Sequence, residues 1–371
     1  MKPPSPARAI ALALALAGVA IVVVNRVDPD ESRGLGVLVA AVGALGLVRR
    51  EATALARAIE VTAVAVLVLV GGELAVRREN GRAQAAYAER TMHFVDDPLL
   101  RYELRPGVAC GAGTTNARGM IDVPRAEPKP AGTLRVACLG DSVGGDCSLP
   151  EDNACAALER VLREARGGRP VEVLNFSVPG YSTLQEARAL ERKALPFSPD
   201  AVVVLYVVND PYPDLAISHH LPGHLKFEHL IWSGLRLAGY RLFGPVIDPL
   251  GGMLTALHEA PRSWDGVVVA GFDRIRAVAE ARDLPVAVAV FPIFTPAPLP
   301  GTAAIYAKVV AEADRHGFVG LDLSRVAYAD EPVAGLLKPS RDLIHPNARA
   351  HRLAAEAIAR ALLAKRPELA R

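Results

Sequence analysis

The chain has 371 residues, of which 51% are hydrophobic, 5% aromatic and 22% charged. That composition excludes collagen-like, disordered and disulfide-dense small scaffolds. A net charge of +2 gives no polycationic surface, so no nucleic-acid partner is expected. From the N-terminus, residues 9–24, 34–48 and 61–72 carry no charge. A bilayer core about 30 Å thick is crossed by about 20 helical residues. The first run approaches that length if it takes in Ala7 and Asn25, and the third if it spans 58–76; the second is closed by Arg33 and Arg49. The runs are apolar all round, where a soluble surface helix shows one apolar stripe. A membrane anchor of about three helices over residues 1–78 is therefore expected, in preference to a soluble hairpin or a cleaved leader. Lys2 and Arg8 precede the first run, and Arg49, Arg50 and Arg57 lie between the second and third, whereas Asp28, Asp30 and Glu31 crowd the first loop. Basic short loops stay cytoplasmic, which places the N-terminus inside and everything after the third run outside. The expected location is the cytoplasmic membrane, with lipid as partner of the anchor and the remainder extracytoplasmic.

Residues 79–133 are irregular and proline-bearing, and read as a lead-in segment. From residue 134 the period changes. Strands are expected at 134–139, 171–175, 201–208, 284–291 and 317–323, and helices at 153–165, 183–194, 264–281, 303–316 and 347–363. Asp152 or Asn153, then Ser182, then Asn347 are the candidate helix caps. The run AVVVLYVV at 201–208 has the continuous apolar character of a strand buried on both faces. Strands alternating with helices imply an α/β fold with a covered parallel sheet over 134–371. Residues 211–262 interrupt the alternation as an insertion with lid-like apolar content (Phe227, Leu230, Ile231, Trp232). Its His219, His220, His224 and His229, with Glu228, match no metal-ligand spacing, so no metal is expected there. All four cysteines lie beyond the apolar runs. Cys147 and Cys155 are close enough to form a small loop, Cys138 reads as a buried free thiol, and Cys110 has no evident partner.

Open parallel sheets bind ligands at the carboxyl ends of their strands. There the chain carries Gly140-Asp141-Ser142, then Asn175 through Gly180, then Asn209-Asp210, and, before the last helix, Asp342 and His345. A serine hydroxyl is a weak nucleophile that needs a base within hydrogen-bond reach. His345 is the candidate base, and Asp342, three residues earlier, the group that fixes its tautomer. The N–H groups of Ser142 and Gly180 and the amide of Asn209 are candidate oxyanion donors. Asp141 and Asp210 read as structural hydrogen-bonding residues.

These blocks, LGDS, NFSVPGYST, VVND and DLIHPN in that order, resemble the SGNH (GDSL) hydrolase family over about residues 134–363. The resemblance implies a flavodoxin-like three-layer α/β/α domain. It also implies a Ser142–His345–Asp342 triad, an oxyanion hole of Ser142, Gly180 and Asn209, and no cofactor. The substrate class implied is an acylated small molecule, lipid or envelope glycan. The stretch Val143-Gly144-Gly145-Asp146 lacks the aromatic many relatives carry, and Val207-Val208 replace a common glycine; both are expected to touch the pocket wall. Ester hydrolysis leads over two alternatives, O-acyl transfer to an envelope polysaccharide and a non-catalytic envelope protein that keeps the fold.

Overall fold

Five of the apolar runs become the strands of one parallel sheet. The computed structural model describes residues 89–110, 113–145, 153–212, 249–294, 299, 301–332, 335–337 and 345–371. The three N-terminal apolar runs, Cys147, the insertion histidines and Asp342 lie outside them. Two small antiparallel pairs come first, where the sequence suggested only irregular chain: β1 (Met92–Phe94) with β2 (Tyr102–Leu104), and β3 (Ala109–Cys110) with β4 (Gly113–Thr114). They are too short for a strand period to register. The sheet proper is β5 (Leu134–Gly140), β6 (Val171–Asn175), β7 (Ala201–Tyr206), β8 (Val286–Val290) and β9 (Val319–Asp322), in the order β6-β5-β7-β8-β9. All four pairings are parallel. This is the flavodoxin-like strand order.

Helices cover both faces, because each inner strand alternates its side chains between two apolar layers. Val136, Val203 and Ala289 join one layer with α2 (Ala154–Ala165) and α7 (Ala348–Lys365). Leu139, Val204 and Val288 join the other with α3 (Thr183–Ala189), α5 (Ala270–Arg282) and α6 (Thr302–Arg315). Burying one such Val or Leu contributes about 1.5–3 kcal/mol, so the sheet is held chiefly by this double coverage. The cap expectations hold at both ends: the Asn153 side chain accepts from the Ala156 N–H, and that of Asn347 from the Ala350 N–H. The helix expected at 183–194 is shorter; after Ala189 it widens into a π turn (Leu190–Ala194) and tightens at Leu195–Phe197. Pro196 has no N–H with which to continue the ladder. A similar wide turn, Trp264–Val269, precedes α5.

Two cysteine expectations change. Cys138, in β5, is bonded to Cys155, in α2, because strand and helix pack on the same face with Cα atoms 6.1 Å apart. Cys155 is therefore not the partner of Cys147. Cys110 is also disulfide-bonded, and no described cysteine is free. Among the described residues no helix is long and apolar enough to cross a membrane.

The insertion returns to the sheet through α4 (Pro249–Glu259). Buried His258 lies with Nδ1 2.8 Å from the Leu254 carbonyl and Nε2 3.0 Å from the Tyr206 hydroxyl. Only a protonated Nδ1 can bond a carbonyl, so Nε2 is bare and accepts from the phenol. Burial pulls His258 down to about 4. The stability this gives is present above the ordinary histidine range and is lost as pH falls from about 6.5 toward 4. Over that window His258 should contribute on the order of 2–3 kcal/mol of acid destabilisation. Denaturant unfolding of wild type and His258→Gln between pH 7 and 4 measures it: the variant should show a flatter decline, and parallel curves would contradict a neutral buried His258.

Candidate active site

The sheet turns in opposite directions on either side of β5 and β7, since β6 lies beyond β5 while β8 and β9 lie beyond β7. That switch point opens a crevice at the carboxyl ends of these two strands. β5 delivers Asp141 and then Ser142, the first residue of the short helix α1 (Ser142–Gly145). β7 delivers Asn209 and Asp210 three and four residues beyond its end.

Asp141 joins the two. Its carboxylate accepts from the Asn209 amide at 2.8 Å, from the Val143 N–H at 3.0 Å and from the Ser142 hydroxyl at 3.3 Å. Asp141 is wholly buried, and burial pushes its carboxyl up. The Asn209 and Val143 donors, the electrostatic effect of His345 and the Ser142 hydroxyl each pull it back down. An asparagine amide has two N–H bonds. One is committed to Asp141, which fixes the amide plane and leaves the other to point elsewhere.

The turn after β6 packs hard against α1. A side chain at 144 would run into Ser177, and one at 145 would meet the Ser177 carbonyl and Pro179. The two glycines thus account for the missing aromatic. Asn175 donates to the Gly144 carbonyl at 2.8 Å and accepts from the Ser177 N–H at 3.0 Å. Gly180 has φ +78°, a region that favours glycine. The lead-in segment clamps this turn: the Tyr102 hydroxyl donates to the Pro179 carbonyl at 3.1 Å, and the Tyr181 hydroxyl to the Tyr102 carbonyl at 2.7 Å. Gln185 ties its far end, accepting from the Ser182 N–H at 3.0 Å and donating to the Leu100 carbonyl at 2.9 Å.

His345 is half-buried just before α7, where Pro346 pairs with Leu337. The Asn347 amide pins that approach through the Gly335 and Leu337 carbonyls at 2.9 and 3.0 Å. Of the sequence-predicted residues, hydrogen bonds join Ser142 and Asn209 through Asp141. Packing of α1 on the 177–180 turn brings up the segment bearing Gly180, and the electrostatic effect of His345 reaches Asp141. Asp342 is outside the described residues. Val207 and Val208 do not form a pocket wall: they are buried in the two core layers.

One reading is corrected. Asp210 accepts no side-chain hydrogen bond, although its carboxyl is fully buried. Its neighbour Glu186, which belongs to none of the motif blocks, is 1% exposed and its carboxyl oxygens are also without a hydrogen-bond partner. The signal was present: Thr183, Glu186, Ala187 and Leu190 follow the i, i+3, i+4, i+7 spacing of a core-facing stripe, with a carboxyl in it. Asp210, Glu186 and Asp141 are electrostatic neighbours, each carboxyl pushed up chiefly by burial.

The clamp makes a separate prediction. Tyr181→Phe strips the Tyr102 carbonyl of its buried donor and should destabilise the fold by about 1–2 kcal/mol. Urea unfolding reads this, and an unchanged midpoint would show that the hydroxyl bond is not needed.

The sequence pattern of the GDSL-like lipase/acylhydrolase family matches residues 138–353. A search of curated proteins finds no match. Among solved structures, the chain is similar to LAE5, an alpha/beta hydrolase enzyme from the metagenome of Lake Arreo, Spain (14% identity, 64% of this chain, 97% of that one, TM-score 0.42). It is also similar to the lipase/acylhydrolase from Enterococcus faecalis (16%, 62% and 96%, TM-score 0.40). A third is Axe2, an acetylxylan esterase from Geobacillus stearothermophilus (14%, 64% and 96%, TM-score 0.39). The family match spans more than half of the chain and takes in Ser142 and Asn209, beyond the ends of β5 and β7, and His345, just before α7. The chain belongs to the GDSL-like lipase/acylhydrolase family and is an ester hydrolase of that class.

Proposed function

We propose that the protein is a membrane-anchored serine hydrolase that cleaves acyl or acetyl esters of envelope glycans or lipids outside the cytoplasmic membrane. Ser142 attacks the ester carbonyl while His345 takes its proton, and Asp342 orients the imidazole. The tetrahedral oxyanion is met by the N–H groups of Ser142 and Gly180 and the free N–H of Asn209. Collapse expels the alcohol, which receives the proton from His345, and water then releases the acid by the same steps in reverse. The observation that carries this reading is the bond from Asn209 to Asp141, which fixes a donor beside Ser142 before substrate arrives.

The cysteines support an external location. Bridges such as Cys138–Cys155 persist in oxidising compartments and are rare where thiols are kept reduced. The three N-terminal apolar runs supply the anchor in this reading.

Ser142→Ala should lower p-nitrophenyl acetate turnover at least about 10³-fold, and Asn209→Ala should lower kcat by about 10²–10³-fold with little change in KM. Unchanged turnover in Ser142→Ala would remove the nucleophile assignment. Adding acceptor glycans distinguishes release of free acid from acyl transfer. For the location, protein denatured directly from intact cells should show no reactive thiol, and protease added to intact spheroplasts should digest the body. Four reactive thiols and a body protected until lysis would place it inside.

A further inference from the structure

Beneath Asn209 lie three carboxyl groups, from Asp141, Glu186 and Asp210, none more than 1% exposed. Asp141 has three donors, as described. Glu186 and Asp210 differ: all four of their carboxyl oxygens are buried without a hydrogen-bond partner, and only the Val207 backbone pulls Asp210 down, less than burial and the neighbouring carboxyls raise it. They belong to segments that touch, since the Thr183 N–H, in the same first turn as Glu186, donates to the Asp210 carbonyl at 3.3 Å. The Thr183 hydroxyl is also buried and unpartnered. Among the described residues no lysine or arginine acts on the pair, and no group of three or more acidic, histidine or cysteine side chains has metal-holding geometry. Two neighbouring carboxylates buried without cations or hydrogen-bond partners would be strongly destabilised. Protonation removes that cost and supplies the missing donor, because a neutral carboxyl has an O–H to give.

We propose that Glu186 and Asp210 are both protonated, a neutral carboxyl pair that leaves Asp141 as the single anion of the cluster and so holds Asn209 in place. Asp141 is the member whose charge is solvated by donors, so it ionises first. Were either neighbour charged, its repulsion would push a proton onto Asp141, and the Asn209 amide would lose its anionic acceptor. Glu186 and Asp210 are thus positioning residues that act through Asp141. Other groups face the pair as well. Tyr206 of β7 feels both carboxyls, and its hydroxyl leads to His258 of α4, which Lys308 approaches. His345 acts electrostatically on Asp141. Burial pushes Glu186 and Asp210 well above the ordinary carboxyl range. Their contribution to stability is therefore full below that range and is lost as pH rises through the raised values.

The positioning role rests on the hydrolytic mechanism proposed above; the protonated pair does not, and melting separates the two. Melting temperatures of the full chain are measured for wild type, Glu186→Gln and Asp210→Asn from pH 4 to 9, with and without EDTA. Both variants keep an uncharged donor and remove the group that resists ionisation. The expected result is near-coincidence with wild type at pH 4 and an advantage for each variant that grows with pH, reaching about 3–6 °C by pH 8. On p-nitrophenyl acetate, Glu186→Gln should stay within about threefold of wild type at pH 7, whereas Glu186→Leu, which has no donor, should lose tenfold or more in kcat. Curves that stay parallel in pH overturn the pair, as does a wild-type melting point that EDTA lowers, which would mark a bound cation instead. Correct melting with equal kcat in the Gln and Leu variants keeps the pair and overturns its positioning role. Absence of turnover in wild type itself would count against the hydrolytic reading alone.

Discussion

The site depends on one buried anion. Asp141 stands where β5 ends, and its carboxylate binds the Asn209 amide that arrives from β7, the Val143 N–H that opens α1, and the Ser142 hydroxyl. A carboxylate taken out of water is tolerated only when donors replace the lost hydration. The need to satisfy Asp141 therefore fixes two strand ends and one helix start relative to each other. Charge-assisted bonds of this kind are roughly twice as strong as neutral ones, which suits a joint that holds geometry rather than one that breathes.

The rest of the domain supports that joint at increasing distance. The parallel sheet, buried on both faces, brings the ends of β5 and β7 side by side at the switch point. Gly144 and Gly145 let α1 press on the turn after β6, and Tyr102 and Tyr181 hold that turn from the lead-in segment. The lead-in is fastened in turn by Arg135, whose fully buried guanidinium bonds Glu172 and the carbonyls of Ala126, Glu127 and Phe197. A segment with almost no regular structure thus orients the loop that bears Gly180.

Much of this is legible in the residues. The strand run AVVVLYVV, the caps Asn153 and Asn347, and the first three motif blocks are local signals, and the structure carries them at or within a few residues of the expected positions. What is not legible depends on partners far away in the chain. Cys138 reads as a buried thiol because nothing near it indicates that Cys155 will pack onto the same face of the sheet. Val207 and Val208 sit next to a motif, and only the two-layer core shows that they serve packing. Asp210 reads as a hydrogen-bonding residue and Glu186 falls in a core-facing stripe, but their burial without hydrogen-bond partners shows only in the structure, since a side chain's solvation is a property of the tertiary structure.

The central claim is that a preset Asn209 amide stabilises the oxyanion formed when Ser142 attacks an ester. A crystal structure of the protein after reaction with a fluorophosphonate tests it directly, because the phosphonyl oxygen occupies the oxyanion position. The account predicts a covalent bond to the Ser142 Oγ, the phosphonyl oxygen about 2.7–3.1 Å from the Asn209 Nδ2 and from the Gly180 N–H, and the Asn209–Asp141 bond unbroken. An adduct on another residue, or an oxygen turned away from Asn209, would contradict it.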